Sequence, residues 1–316
     1  MLDAAPDPAP DPAPHPARAP APQARPALRA RPSPPLPVEA LVQGKPQGEV
    51  AALLPRLFAL CRAAQSRAVR LALDLPDAGG DAALRREILR DHALRLAVVL
   101  PGHFGQSAVQ LPPGWQGGGA GLRRALFGPE GALPQRPEEV EAWLAAGDAP
   151  LAGLARRIDG LFGPGAADPG ALPMVSEATA LEPAAAVENS CAVRVAGAAP
   201  LAHVAATRGR GPLWRLMARA CDLAALLDGA PLDARRPAPG TALVPATRGL
   251  YAVQARCAGG RVAAFARVTP TDHLQAPGGV LERSLAALPA DRAALAPLLM
   301  DLLDPCTPIR LEAGDA

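Results

Sequence analysis

Two cysteines are the residues of this sequence best placed for chemistry. Cys61 lies near the start of a helical stretch, and Cys306 sits in the Pro-bounded loop Asp304-Pro305-Cys306-Thr307-Pro308. Thiols at such places can be activated as thiolates or can bind soft metals; otherwise they are small packed side chains. Five Cys in 316 residues is far below the density of a disulfide scaffold, and the odd number argues against complete internal pairing, so a reducing compartment is expected. His92 falls on the apolar face of a helix and reads as a packed core residue. His273 ends the turn Thr269-Pro270-Thr271-Asp272-His273, which is either structural or lines a site. No Ser or Cys nucleophile has a recognisable His partner, and no Gly-rich stretch carries the Gly-Lys-Ser/Thr of a phosphate loop.

The elements that must position these residues read as mainly helical. Residues 1–37 hold 13 Pro, a frequency that no helix survives, so residues 1–40 are expected to form a disordered Pro/Ala-rich arm ahead of a domain over 41–316. From Val50 the apolar spacing turns helical, with Leu57, Leu60 and Cys61 on one face continuing to Val69 and Leu73. Pro55 fits a first-turn position, so a helix is predicted to begin there. A second helix over 81–100 aligns Leu84, Ile88, His92 and Leu96 and stops at Pro101-Gly102. Short amphipathic helices follow over 138–146 and 151–162, between the Gly/Pro-rich connectors 112–135 and 163–172. The clearest helix spans 212–227, with Leu213, Leu216, Met217, Ala220 and Leu223 in a stripe, Cys221 near it, and Arg215, Arg219 and Asp222 on the other side. Over 251–268 the period becomes two and Gly259-Gly260 marks a hairpin; a last helical region over 284–303 is broken at Pro289 and Pro297. The fold class is therefore mainly α with a small β element.

The charge balance, 32 Lys and Arg against 30 Asp and Glu, gives no global electrostatic case for nucleic acid or an anionic membrane. No apolar run reaches the roughly 20 residues of a membrane span, and no basic start leads into a signal segment, so a cytoplasmic protein is expected.

Four segments give the sequence a family likeness. They are Arg56-Leu57-Phe58-Ala59-Leu60-Cys61-Arg62-Ala63-Ala64-Gln65; Glu188 to Arg194 with the 211–227 helix; Arg248-Gly249 before the hairpin with Val268-Thr269-Pro270-Thr271 after it; and Asp304-Pro305-Cys306. In this order they resemble the large subunit of nickel-iron hydrogenases, and most closely its shortened accessory relatives, the HupK/HoxV-type hydrogenase expression proteins. The resemblance covers roughly residues 45–316 and implies a hydrogenase large-subunit-like fold.

The departures from the enzymes' pattern direct the functional reading. By the resemblance, Cys61 and Cys306 match two of four metal thiolates, while Phe58 and Ile309 stand at the other two and Gln65 and Glu312 replace His. A nickel site would lose most of its ligands, so no nickel and no hydrogenase activity are expected. Two thiolates can still hold one iron whose coordination is completed by cyanide and carbon monoxide. The resemblance further implies that Arg248, Pro270 and Thr271 line the space for those ligands, with Arg248 and the Thr271 hydroxyl donating hydrogen bonds to cyanide. Cys191, Cys221 and Cys257 acquire no ligand role. Only Ala313 to Ala316 follow Glu312, so no cleavable extension of the enzymes' kind is expected. The expected function is a non-enzymatic scaffold in hydrogenase maturation, passing the iron fragment toward the hydrogenase large subunit with the help of maturation chaperones. The alternative is a metal-free interaction protein that mimics the large subunit to recruit or regulate assembly factors.

Overall fold

The computed structural model describes residues 28–58, 60–77 and 79–314. The elements run β1 (Leu28–Pro32), α1 (Val38–Val42), α2 (Gln47–Leu57), α3 (Arg62–Ala72), α4 (Gly80–Leu94) and α5 (Leu100–Gly102). Next come α6 (Ala120–Phe127), α7 (Pro137–Ala146), α8 (Pro150–Phe162), α9 (Ala199–Arg208) and α10 (Pro212–Leu227). The chain ends with β2 (Arg235–Ala238), β3 (Thr241–Ala246), β4 (Gly249–Ala258), β5 (Arg261–Val268), α11 (Pro270–Leu274), α12 (Val280–Ala286), α13 (Ala296–Leu303) and β6 (Ile309–Ala313). The mainly helical reading holds. Among the described residues, no helix is long and apolar enough to cross a membrane.

The helix predicted to start at Pro55 is two helices. Pro55 lies inside the last turn of α2, where it lacks one ladder donor; the chain leaves the helix after Leu57, extends at Phe58 and turns through a left-handed Cys61 (φ 54) into α3. The second predicted helix contains a π-helical segment, Arg95–Val99, between α4 and α5, and it runs through Pro101-Gly102 instead of stopping there. Of the expected arm, residues 1–27 lie outside the described residues, while residues 28–40 depart from the expectation. Leu28–Pro32 pairs antiparallel with β6, and Val38 is buried at the start of α1. Between Pro26 and Pro32 the sequence Leu28-Arg29-Ala30-Arg31 alternates apolar and charged side chains without a Pro, which suits a strand.

Four strands form an antiparallel meander in the order β2-β3-β4-β5. The predicted hairpin is its β4–β5 pair, with Gly259 and Gly260 both at positive φ in the turn. β3 is buried along its whole length because the sheet is covered on both faces. Ala242 and Val244 face the main core, which includes Ala64, Ala68 and Val69 of α3, and Leu243 joins a smaller cluster with Val175, Val187, Ala252 and Val268. α10 runs through the helical part against α4, α8, α9 and α13. Its charged side is buried as well as its apolar stripe, and each charge there meets a partner.

Candidate functional site

Arg248 sits in the two-residue turn between β3 and β4, directly before the Ala246–Gly249 pair closes the ladder. Gly249 is the residue this turn requires. Its φ is 142, and a Cβ there would lie 2.4 Å from Asn189 Oδ1 and 2.6 Å from Asn189 O. The close approach lets Asn189 accept from the Leu250 N–H at 2.7 Å and donate from Nδ2 to the Leu250 carbonyl at 3.0 Å. The turn is thereby pinned to the segment after Glu188.

From this turn the Arg248 guanidinium reaches two distant parts of the chain. Nε donates to the Asp304 carbonyl at 2.9 Å, Nη2 to Asp304 Oδ1 at 3.0 Å, and Nη1 to Cys61 Sγ at 3.3 Å. Asp304 caps the end of α13 in the left-handed region (φ 55), which turns the chain toward Cys306. Its carboxylate also accepts from Arg95 and, at 3.0 Å, from Arg219 Nη2. Burial penalises that carboxylate, but the Arg219, Arg248 and Arg95 guanidiniums outweigh the penalty and hold its pKa below the ordinary range.

Cys306 is held on the other side. Its N–H donates to Thr271 Oγ1 at 2.9 Å. Thr271 is placed by a capping box at the start of α11, in which the Thr269 hydroxyl and backbone both donate to Asp272 Oδ2 and Pro270 fills the first helical position. Thr271 accepts from Cys306 and leaves its own O–H proton for another acceptor. Pro270, Thr271, Arg248 and Asp304 share the wall of a cavity of about 30 Å³, enough for one or two water-sized groups. Cys306 opens instead onto a surface groove lined by Leu60, Arg95, Met300, Pro308 and Ile309.

Of the five residues singled out for the metal fragment, Arg248, Pro270 and Thr271 share one cavity wall, Cys61 Sγ accepts from Arg248 and the Cys306 backbone bonds Thr271, while the Cys306 side chain lines the separate groove. Cys61 and Cys306 are both free thiols. The Cys61 thiol is pushed up to about 12. Burial is the main cause, Arg248 offsets part of it, and Glu87, Asp91 and Cys306 add to it. Without a metal it is therefore a protonated thiol. Phe58 packs under the Arg267 guanidinium, 4.1 Å from its ring centroid. Gln65 turns back to donate to the Leu60 carbonyl at 2.8 Å, and Ile309 and Glu312 have become part of β6.

The sequence reading passed over several residues of this neighbourhood. Glu87 accepts from the N–H groups of Ala63 at 2.7 Å and Ala64 at 3.1 Å, capping α3 just after Cys61; burial raises its pKa against those two bonds. Asp91, one turn further along α4, accepts from the Thr247 hydroxyl at 3.2 Å. The i, i+4 spacing of these two carboxylates on a helix that also carries His92 was the available signal.

His92 is buried as expected, but in a polar setting. It lies 2.6 Å from Asp222 Oδ2 and 3.0 Å from Arg219 Nη1, and Arg194 binds Asp222 through Nε and Nη2. His92, Cys191 and Asp222 lie close enough together to suggest a metal site. Two guanidiniums already occupy that trio, and burial lowers the His92 pKa, so the neutral ring is spent on both nitrogens. Arg215 and Glu188 form a second buried pair, with both contacts at 2.7 Å.

No protein-family model matches the chain. It is 47% identical over 286 residues to the hydrogenase expression/formation protein HupK of Rhodobacter capsulatus, covering 90% of this chain and 93% of that protein. Among solved structures it is similar to a chain of the NAD+-reducing NiFe-hydrogenase in the H2-reduced state, with a TM-score of 0.49, 14% identity, and 85% of this chain and 89% of that one covered. With almost half of the aligned residues identical to HupK over nine-tenths of both sequences, the chain belongs to the HupK family of hydrogenase expression/formation proteins.

Proposed function

We propose that the protein is a non-enzymatic scaffold in hydrogenase maturation, holding an iron that carries cyanide and carbon monoxide between Cys61 and Cys306 before its transfer to a hydrogenase large subunit. The observation that supports this reading is that Cys61 Sγ and the backbone of Cys306 are tied to neighbouring residues of one polar cluster, Arg248 and Thr271, although 245 residues (306 − 61) separate them in sequence. The donor set suits such a cargo. Two soft sulfur ligands match iron, and the unspent Thr271 proton suits a ligand that is a hydrogen-bond acceptor. Arg248 would supply charge-assisted donors, held in place by Asp304. Loading requires loss of the Cys61 proton, since the thiolate is the ligand. Hydrogenase large subunits and maturation chaperones are the partners this reading needs, and the cytoplasm is its compartment.

The test is anaerobic purification together with the maturation machinery, followed by infrared spectroscopy and iron analysis. Cyanide and carbonyl bands that disappear in the Cys61→Ala/Cys306→Ala variant are the expected result. No bands, or bands that survive the double substitution, would sink the scaffold reading.

A metal-free mimic of the large subunit is the second reading. The closed ion pairing of the site favours it, because Arg248 and Asp304 already satisfy one another without a metal. It predicts that Cys61→Ala/Cys306→Ala leaves hydrogenase maturation intact.

A further inference from the structure

The tail that follows Cys306 is fastened to the body through the beginning of the chain. β6 starts three residues after Cys306, and among the described residues its pairing partner is β1 alone, in the register Leu28↔Ala313 to Pro32↔Ile309. β1 in turn lies against α12. The loop between Asp304 and β6 has two kinds of anchor. The Cys306 N–H bonds Thr271, and the Pro308 carbonyl accepts from the Ser33 N–H at 3.2 Å and the Ser33 hydroxyl at 2.9 Å. Ser33 directly follows β1, so the second anchor belongs to the strap.

This strap is built to be weak. A two-stranded sheet is marginal on its own, and here each strand has only five residues. Arg31 and Arg310 face each other across the ladder, and like charges directly opposite are unfavourable. The exposed Arg31–Glu312 ion pair offsets only part of that. Leu28, Ala30, Ile309 and Leu311 give the strap its apolar seat on the core, but all four are only partly buried. Pro308 and Ile309 are also one wall of the groove onto which Cys306 opens. Peeling β6 and β1 from the core would remove that wall and leave the Cys306 loop tied by the Thr271 bond.

We propose that the β1–β6 strap is a releasable closure over Cys306: when seated it restricts the approach of large reactants to this thiol, and when released it exposes it. The inference concerns access to the thiol and holds whatever Cys306 binds.

The test is peptide-resolved mass spectrometry of Cys306 alkylation in the full chain, using iodoacetamide and a bulky maleimide. The Ser33 N–H bond to Pro308 sets the alternation, so the Arg31 N–H also faces β6; Arg31→Pro removes that ladder donor in β1 and should open the strap, raising the maleimide rate at Cys306 about threefold or more. Arg31→Cys with Arg310→Cys, oxidised to a cross-strand disulfide, should lock the strap and lower the same rate by a similar factor. Continued protection of the buried Cys191 and Cys221 shows that a variant is folded. If Arg31→Pro loses that protection, the locked variant decides. A Cys306 rate unchanged by the lock, or unchanged in a folded Arg31→Pro variant, overturns the proposal.

Discussion

Arg248 and Asp304 are joined twice, once through the Asp304 backbone carbonyl at 2.9 Å and once through its carboxylate at 3.0 Å. The double attachment leaves Nη1 as the guanidinium edge directed at Cys61. A planar fork fixed at two points has little freedom at the third, so Asp304 is a positioning residue for Arg248. A turn between two strands and a helix C-terminus are thereby locked to each other beside both thiols.

Removing the fork should cost stability even in metal-free protein. Arg248→Met leaves the Cys61 thiol and part of the Asp304 carboxylate without a donor, and is expected to lower the unfolding free energy by about 3 kcal/mol in urea titration. Arg248→Lys should recover little of it, because a point charge cannot make both Asp304 contacts.

Gly249→Ala is expected to be as damaging without touching a charge. The added methyl would meet two Asn189 oxygens well inside contact distance, at a φ of 142 that other residues rarely adopt. A loss of about 3 kcal/mol, or roughly 5 °C in melting temperature for a chain of this size, is expected, and calorimetry checks it.

The buried Arg215–Glu188 pair separates the cost of breaking an ion pair from the worth of having one. Arg215→Met alone should cost about 3 to 5 kcal/mol, since it strands a buried carboxylate, whereas adding Glu188→Met should restore most of the loss. A double-mutant cycle from urea midpoints gives the coupling directly. Near-additive losses would show that Glu188 is satisfied without Arg215.

Acid should weaken the fold through His92. Its folded pKa is lowered from 6.5, chiefly by burial, so the native state disfavours the proton that the unfolded chain accepts. This contribution is fully present above pH 6.5 and is lost as pH falls below it. Urea midpoints should therefore drop between about pH 6.5 and 5, and His92→Gln should flatten that slope. His273, whose pKa burial lowers in the same direction, adds to the slope that remains, and Glu87, whose pKa burial raises, works against it.

The sequence disclosed the hairpin and α10 because each rests on local information, a Gly-Gly turn and a sustained 3.6-residue stripe. It misplaced the start of α3 because Leu57, Leu60 and Cys61 have helical spacing while the chain between them does not; Leu57 and Leu60 remain exposed there. β3 escaped notice because a strand covered on both faces shows no alternation, and it contains Pro245. At the site, Cys61 and Cys306 stood out by position, one near a helix start and one in a Pro-bounded loop, whereas their pairing and the roles of Arg248 and Thr271 were legible only by family resemblance. The Arg95, Arg219 and Asp304 cluster had no local signature, since its members are brought together from as far as 209 residues apart.

Cys61 and Asp304 share a backbone feature: each is a non-glycine residue in the left-handed region, at φ 54 and 55, one entering a helix and the other leaving one. Each conformation costs on the order of 1 kcal/mol that Gly would not incur. A selection for thermal stability alone would therefore be drawn toward Gly at these two positions, discarding the thiol at one and the carboxylate that aims Arg248 at the other. In this protein, backbone ease and the side chains of the candidate site compete for the same two positions.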